Sequence, residues 1–253
     1  MIRFIGVVIF LVIYLVLSIP VFYLVLSIPV FFIEYIIGLF NRKARDYSSL
    51  RLVQWGFSVC EKISGVDVTV IGEENVPDEA VLFIGNHRSF FDIVLTYPRC
   101  KRLTGYVAKK EIEKVPLLST WMRFLYCLFL DRSNLRAGLN TILQAIDYVK
   151  KGISICIFPE GTRNKGEELS LLPFHEGSFK IADKTGCAIV PISINNTAEV
   201  FENHFPRIKK THVIIEYGTP VYPKDLDKET RKHMGAYFHG IIQETIQKNA
   251  KLL

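Results

Sequence analysis

Residues 81–92 read VLFIGNHRSFFD, and this stretch carries the pattern that decides the fold. An apolar run is followed by a glycine and then by polar residues. Such an order predicts a buried strand that leads through a loop into a helix. Residues 153–163, ISICIFPEGTR, repeat the same order. In α/β proteins the loops that follow such strands hold the functional site, so these two loops are the first places to look for chemistry.

Similar runs alternate with helical stretches along the rest of the chain. The predicted strands are Val68–Ile71, Val81–Ile84, Tyr106–Ala108, Cys127–Leu130, Ile153–Phe158, Ala188–Ile194 and His212–Tyr217. The predicted helices lie near 47–63, 89–97, 116–125, 135–150, 176–185 and 227–250. Strands that alternate with helices indicate an α/β sheet with helices covering it.

The first 40 residues differ from the rest in composition. Of these, 32 are hydrophobic, whereas the whole chain of 253 residues is 49% hydrophobic. The 30 residues from Phe4 to Ile33 carry no charge, and a transmembrane helix needs about 20 apolar residues. The nonapeptide YLVLSIPVF occurs twice in tandem, and each copy holds a proline that favours a kink. We therefore predict a membrane-embedded segment over residues 1–40, for which a single tilted span and a re-entrant helical hairpin both remain open.

The charge distribution predicts on which side of the membrane the remaining domain, residues 41–253, lies. The net charge of +6 lies wholly in this domain, because the only two charges of the leader cancel. Three basic residues, Arg42, Lys43 and Arg45, follow the leader directly. Basic residues flank the cytoplasmic end of membrane segments, so we expect a domain that faces the cytoplasm at the cell membrane.

The basic charge and the cysteines also bear on partners. A basic domain favours anionic substrates and an anionic bilayer surface. No recognised nucleic-acid motif accompanies the charge, so no nucleic-acid partner is expected. The five cysteines include no C-x-x-C pair, which argues against a disulfide framework or a zinc ribbon, and no metal site is expected.

His87 and Asp92 are the candidate catalytic pair of the first loop. A histidine titrates near neutral pH and can accept a hydroxyl proton. If His87 lies in the loop and Asp92 in the first helical turn, the carboxylate can orient the imidazole and stabilise its protonated form. Ser89-x-x-Asp92 is also the spacing of a capping box, so Asp92 can equally serve as a helix cap. The spacing alone leaves both interpretations open.

The second loop offers Glu160 and Arg163 in a turn set by Pro159 and Gly161. The two charged side chains can pair with each other. Alternatively, Arg163 can face a phosphate with its guanidinium donors. An ordinary polar turn between a strand and a helix accounts for the same residues taken alone.

Together, NHRSFFD and the FPEGTR that follows about 70 residues later resemble the glycerolipid acyltransferase family, which includes the bacterial 1-acylglycerol-3-phosphate acyltransferases of PlsC type. Residues 125–132, LYCLFLDR, and residues 189–192, IVPI, are similar to two further blocks of that family. The likeness spans roughly residues 45–220.

The resemblance implies a mixed sheet flanked by helices, which is the αβ core of that family. It also implies an acyltransferase that moves a fatty acyl group from an acyl thioester to the sn-2 hydroxyl of lysophosphatidate, giving phosphatidate. In this reaction His87 is the general base of an HxxxxD motif, Asp92 orients it, and backbone N–H groups near the helix start hold the oxyanion. The implied substrate-binding residues are Asn86, Arg88, Ser89, Lys109, Arg132, Glu160, Gly161, Thr162 and Arg163. Acyl-CoA or acyl carrier protein is the implied co-substrate, the bilayer is the implied partner, and no cofactor is implied.

Two alternatives remain on the sequence. The nearer one is the same chemistry on another lysolipid or on a glycerol-phosphate-type acceptor, and the other is a catalytically inert membrane protein that binds lipid. Tyr126 stands where the family often has glycine, and residues 174–177, FHEG, replace F-K-x-G. These departures affect the expected substrate more than the expected reaction. We interpret His175 as a surface residue or a substitute on the phosphate side.

Overall fold

The computed structural model describes residues 28–253, so most of the predicted leader and most of the repeated nonapeptide lie outside the described residues. Residues 28–40 are helical and form α1. Within residues 28–253, no helix combines the length and the apolar character that crossing a membrane requires. The division of the chain at residue 40 stays a prediction.

A seven-stranded sheet in the order β1-β7-β6-β2-β5-β3-β4 forms the centre of residues 28–253. Its strands are β1 Asp67–Ile71, β2 Leu82–Gly85, β3 Thr104–Lys109, β4 Leu128–Leu130, β5 Ser154–Ile157, β6 Ile189–Asn195 and β7 His212–Tyr217. Strands β2 to β6 all run in the same direction, because β2 pairs in parallel with β5 and β6, and β3 pairs in parallel with β4 and β5. Strand β7 is antiparallel to β6 and parallel to β1. The sheet is therefore mixed, as the sequence predicted.

Helices cover both faces of this sheet. They are α2 Arg42–Ser64, α3 Phe91–Thr96, α4 Leu118–Phe124, α5 Leu135–Lys150, α6 Lys180–Thr185, α7 Lys228–Lys232 and α8 Met234–Asn249. One core includes Leu50 of α2 and Leu95 of α3, and the other includes Phe179 and Phe238, whose rings stack at 5.5 Å. Because both faces of the sheet are buried, the central strands β2 and β5 consist of apolar and small residues.

Each predicted strand is present within two residues of its predicted bounds, and the helices differ more. Helix α2 begins at Arg42, five residues earlier than predicted, because the Asn41 side chain accepts a hydrogen bond from the backbone N–H of Ala44 and caps it. The predicted helix 227–250 is two helices, broken at His233. The Glu176 carboxylate accepts the N–H of Gly235 at 3.0 Å and so holds the start of the second helix.

Candidate active site

The predicted site residues lie along one edge of the sheet, where the five parallel strands end. His87 follows β2 at the centre, Lys109 ends β3, Arg132 follows β4, and Arg163 follows β5. Because parallel strands bring their carboxyl ends to the same edge, the two loops singled out in the sequence become neighbours. The arrangement is the usual position of a ligand site in α/β proteins.

His87 and Asp92 are in direct contact. His87 Nδ1 lies 2.7 Å from Asp92 Oδ2. The same carboxylate oxygen accepts the backbone N–H groups of Arg88 at 2.8 Å and Ser89 at 2.9 Å, and Oδ1 accepts the hydroxyl of Thr197 at 2.5 Å. Asp92 is fully buried, and the four donors compensate for the loss of water around its carboxylate. Asp92 therefore ties the backbone of the turn before α3 to the His87 imidazole, and its catalytic role stays a prediction.

The other ring nitrogen of His87 is available for chemistry. The hydrogen bond to the Asp92 carboxylate assigns the imidazole proton to Nδ1, which leaves a lone pair on Nε2. Nε2 has no hydrogen-bond partner among residues 28–253, and the side chain is 17% exposed. The ring stacks on Phe158 with centroids 4.3 Å apart and planes 12° apart. Stacking and the Asp92 contact together fix the plane of the imidazole.

The FPEGTR loop holds the backbone around His87. The buried Glu160 carboxylate accepts the N–H of His87 at 2.7 Å and the N–H of Leu172 at 2.9 Å. Asn164 donates its N–H to the His87 carbonyl at 2.7 Å. Burial raises the pKa of the Glu160 carboxyl, and the two backbone donors oppose that rise. The Glu160–Arg163 pair considered from the sequence is not formed, because both Glu160 oxygens are used by backbone donors.

At Gly161 the FPEGTR loop lies close to side chains from other parts of the chain. Its φ is +72°, a left-handed value that favours glycine. A Cβ at this position would lie 3.2 Å from the His175 ring and 3.9 Å from the guanidinium carbon of Arg132. His175 and Arg132 therefore both lie near this glycine. The adjacent Thr162 is exposed.

The cations of the site differ in how they are paired. Arg132 makes no ion pair with any residue of the described chain, and desolvation lowers its pKa. Arg163 Nη1 lies 2.9 Å from Glu202 Oε1. Lys109 Nζ lies 3.3 Å from the Glu111 carboxylate in an exposed pair. An unpaired arginine beside the FPEGTR loop is the kind of group that binds an anionic substrate.

The other predicted ligand-binding side chains are used inside the protein. The Asn86 side-chain amide donates to the Ile194 carbonyl and accepts the Ile194 N–H, each at 2.8 Å, which ties the end of β2 to β6. The Arg88 guanidinium donates to the carbonyls of Gly166 and Glu167 at 2.7 and 2.9 Å. In this structure Asn86 and Arg88, like Glu160, shape the loops and do not present a free polar group to a ligand.

The start of α3 offers fewer free donors than the sequence suggested. The N–H of Phe90 donates to Glu202 at 2.8 Å, and the N–H of Phe91 donates to the hydroxyl of Ser89 at 2.9 Å. The N–H groups of Arg88 and Ser89 already bond to Asp92. These four N–H groups are occupied in this conformation, and the expectation of an oxyanion site near the helix start stays a prediction.

The sequence analysis missed Thr197 and Glu202. Thr197 follows the buried strand β6 in the same strand-then-polar pattern that marked the two loops, so its position was detectable. Glu202 lies in a short 3₁₀ turn, Glu202–His204, that no periodic pattern marks. Within residues 28–253, no group of three or more His, Cys, Asp or Glu side chains is arranged to hold a metal ion.

Comparisons with known proteins agree with this fold. The chain is 32% identical over 184 residues to the 1-acyl-sn-glycerol-3-phosphate acyltransferase of Saccharomyces cerevisiae, an alignment that covers 70% of this chain and 61% of that protein. It is 31% identical over 173 residues to a probable 1-acyl-sn-glycerol-3-phosphate acyltransferase of Mycoplasma pneumoniae, covering 64% of each. The chain thus spans about three fifths of the length of these curated relatives.

The structural comparison extends further along the chain. The crystal structure of the 1-acyl-sn-glycerophosphate acyltransferase PlsC from Thermotoga maritima superimposes with a TM-score of 0.70 at 25% identity, covering 89% of this chain and 95% of that one. The Acyltransferase family matches residues 67–195, which is just over half of the chain and includes both loops that meet at His87. The chain belongs to the Acyltransferase family.

Proposed function

We propose that this chain is an acyltransferase that moves a fatty acyl group from an acyl thioester to the sn-2 hydroxyl of lysophosphatidate, giving phosphatidate. The observation that carries the proposal is the His87–Asp92 pair with an unoccupied Nε2 at the carboxyl edge of the sheet. The names of the relatives, each a 1-acyl-sn-glycerol-3-phosphate acyltransferase, support the choice of acceptor.

The geometry supports direct transfer with His87 as general base. His87 Nε2 takes the proton of the acceptor hydroxyl as the hydroxyl oxygen forms a bond to the thioester carbonyl carbon. The carbon–sulfur bond then breaks, and the departing thiolate receives the proton from the imidazolium. Asp92 stabilises the imidazolium between these two transfers, as its contact with Nδ1 requires. The mechanism has no acyl-enzyme intermediate.

The cations along the sheet edge supply the binding site for the acceptor phosphate. Arg132 is the principal candidate, because it is close to the FPEGTR loop and has no ion-pair partner in the described part of the chain. Arg163, Lys109 and Thr162 lie on the loops that flank it. A guanidinium binds phosphate oxygens in a bidentate manner, which favours a phosphate-bearing acceptor over a neutral one.

The acceptor and the product are lipids, so we place the domain against the cytoplasmic face of the cell membrane. The apolar side chains of α1 support this placement, since Phe32, Leu39 and Phe40 are exposed. Large exposed apolar side chains grouped on one element are typical of contact with a membrane or another protein. Acyl-CoA or acyl carrier protein would deliver the acyl group to the same site.

The test is an assay of the purified protein against a panel of lysolipids with an acyl-thioester donor, with thiol release as the signal. We expect turnover of lysophosphatidate, and turnover of a different acceptor alone would contradict the choice of substrate. His87→Ala should lower the rate by about 10²–10⁴-fold, the usual contribution of general-base catalysis. His233→Ala, a substitution at an exposed histidine on the far end of the chain, is the matched control and should leave the rate unchanged.

A further inference from the structure

Glu202 joins the two loops of the site. Its Oε1 accepts the N–H of Phe90 at 2.8 Å and Nη1 of Arg163 at 2.9 Å. Its Oε2 accepts the hydroxyl of Ser89 at 2.5 Å. One carboxylate therefore contacts the turn that follows His87 and the arginine that ends the FPEGTR motif. Nothing in the mechanism above uses this carboxylate.

We propose that Glu202 is a positioning residue that holds Arg163 beside the His87 turn and releases it to the acceptor phosphate, and so sets the affinity for an anionic headgroup. The inference rests on the proposed function, because it concerns the same acceptor. Glu202 is an additional residue that sets the selectivity for the acceptor and that the acyl transfer itself does not require.

The surroundings of the Arg163–Glu202 ion pair allow Arg163 to exchange Glu202 for a phosphate. The Arg163 side chain is 47% exposed and the Glu202 side chain 22%, so water and ligand reach the contact. Exposed ion pairs contribute little to stability, and a phosphate is a stronger bidentate partner for a guanidinium. When Arg163 turns to the phosphate, Glu202 keeps the donors from Phe90 and Ser89. Its charge is not left without partners, so the exchange creates no buried unpaired group.

Glu202 also lowers the affinity for phosphate while it holds Arg163. The carboxylate competes for the guanidinium and adds a negative charge near the bound headgroup. Removing that charge should favour an anionic acceptor and leave a neutral acceptor unaffected. Arg132, which has no such competitor in the described residues, binds in either case. Arg132 is therefore always available to the phosphate, whereas Arg163 exchanges between Glu202 and the phosphate.

The central measurement is lipid binding by Glu202→Gln, a variant that keeps the shape and removes the charge. The probes are lysophosphatidate and a monoacylglycerol with the same acyl chain, titrated in detergent micelles without a thioester donor. We expect lysophosphatidate to bind about two- to fivefold more tightly, which is the value of one exposed ion pair. The affinity for monoacylglycerol should not change.

Two variants control this result. Glu199→Gln makes the same chemical change three residues away, where the carboxylate pairs with His204 at 2.8 Å and Lys209 at 3.6 Å, and should leave both affinities unchanged. In an Arg163→Gln background, Glu202→Gln should tighten lysophosphatidate binding less than it does in wild type, because only the charge near the headgroup is then removed and no guanidinium is released. Weaker or unchanged binding of lysophosphatidate by Glu202→Gln, or an equal change for both lipids, would overturn the proposal.

Kinetics separate positioning from simple structural support. Glu202→Ala leaves the Ser89 hydroxyl and the Phe90 N–H without their acceptor, so kcat should fall. Glu202→Gln retains an acceptor oxygen and should recover most of that kcat while lowering KM for lysophosphatidate. A loss in Glu202→Ala that Glu202→Gln does not relieve would contradict the positioning role.

The role of Glu202 can be tested even if lysophosphatidate is not the acceptor. Wild-type protein that neither binds nor acylates lysophosphatidate would refute the proposed function. The exchange is then tested with inorganic phosphate, whose Kd should decrease in Glu202→Gln and stay constant in Glu199→Gln. An unchanged Kd for phosphate in Glu202→Gln would refute the exchange on its own.

Discussion

Replacing Asp92 by asparagine removes one negative charge beside His87 and keeps the shape of the side chain. The amide oxygen can take the place of Oδ2 and accept His87 Nδ1–H together with the N–H groups of Arg88 and Ser89. The amide NH₂ then takes the place of Oδ1 and donates to the Thr197 hydroxyl, which can rotate to accept it. The variant should therefore fold and keep the same imidazole tautomer.

The magnitude follows from the charge that is lost. Two unit charges about 4 Å apart interact by about 4 kcal/mol at an effective dielectric constant of about 20. Because the His87 ring is 17% exposed, solvent screening reduces this, and about 2–4 kcal/mol is a reasonable range. At about 1.4 kcal/mol for each tenfold change in rate, kcat should fall by about 30- to 1,000-fold.

The assay compares kcat for lysophosphatidate in wild type, Asp92→Asn and Asp78→Asn, with thermal unfolding of each protein as a check on folding. Asp78 is 98% exposed, so its variant controls for the same chemical change away from the site. A loss smaller than about threefold in a folded Asp92→Asn protein would refute the argument, because the carboxylate charge would then contribute nothing to the transition state. A loss equal to that of His87→Ala would show that His87 cannot act as a base without the neighbouring carboxylate charge.

Two further predictions concern the scaffold of the site. Glu160→Gln should cost about 1–3 kcal/mol of unfolding free energy in urea, because one of the two backbone N–H groups loses its acceptor. The raised pKa of the Glu160 carboxyl means that the folded state binds the carboxyl proton more tightly than the unfolded state does. The unfolding free energy of wild type should therefore decrease as pH rises through that pKa, and Glu160→Gln should lack this pH dependence. Gly105→Ala should cost about 1–3 kcal/mol or more, because the new Cβ would lie 2.1 Å from the Tyr126 carbonyl oxygen. Gly240→Ala in helix α8, where a Cβ meets nothing within 4 Å, should instead be neutral or stabilising by up to about 1 kcal/mol, and equal losses in the two variants would contradict the steric argument.

The strands could be predicted because their signals are local. The strands are rich in apolar and β-branched residues, and glycine, proline or polar residues bound most of them. The break at His233 between α7 and α8 could not be predicted, since it depends on Glu176, 59 residues away, capping Gly235. Residues 228–233, KETRKH, carry no apolar side chain, so hydrophobic periodicity cannot mark the break.

The candidate site likewise has some contacts that the sequence predicts and others that it does not. His87 and Asp92 are five residues apart, so their contact could be anticipated from spacing and loop position. Thr197 lies 105 residues from Asp92, and Glu202 lies 113 residues from Ser89. No pattern in one sequence reports contacts at that separation. The predicted roles of Asn86 and Arg88 came from the motif, and only the structure shows that their polar groups are already bonded.

The hydrogen bonds around His87 also bear on when the base is assembled during folding. The His87 loop and Asp92 receive contacts from Glu160, Thr197 and Glu202, at sequence separations between 73 and 113 residues. A chain that leaves the ribosome in order presents His87 long before Thr197 and Glu202. Long-range contacts of this kind form late, because the intervening chain must first be closed into loops. The proposed acyl transfer would therefore report completed folding: a nascent or truncated chain without β6 and the segment after it carries the motif residues and lacks the partners that orient them.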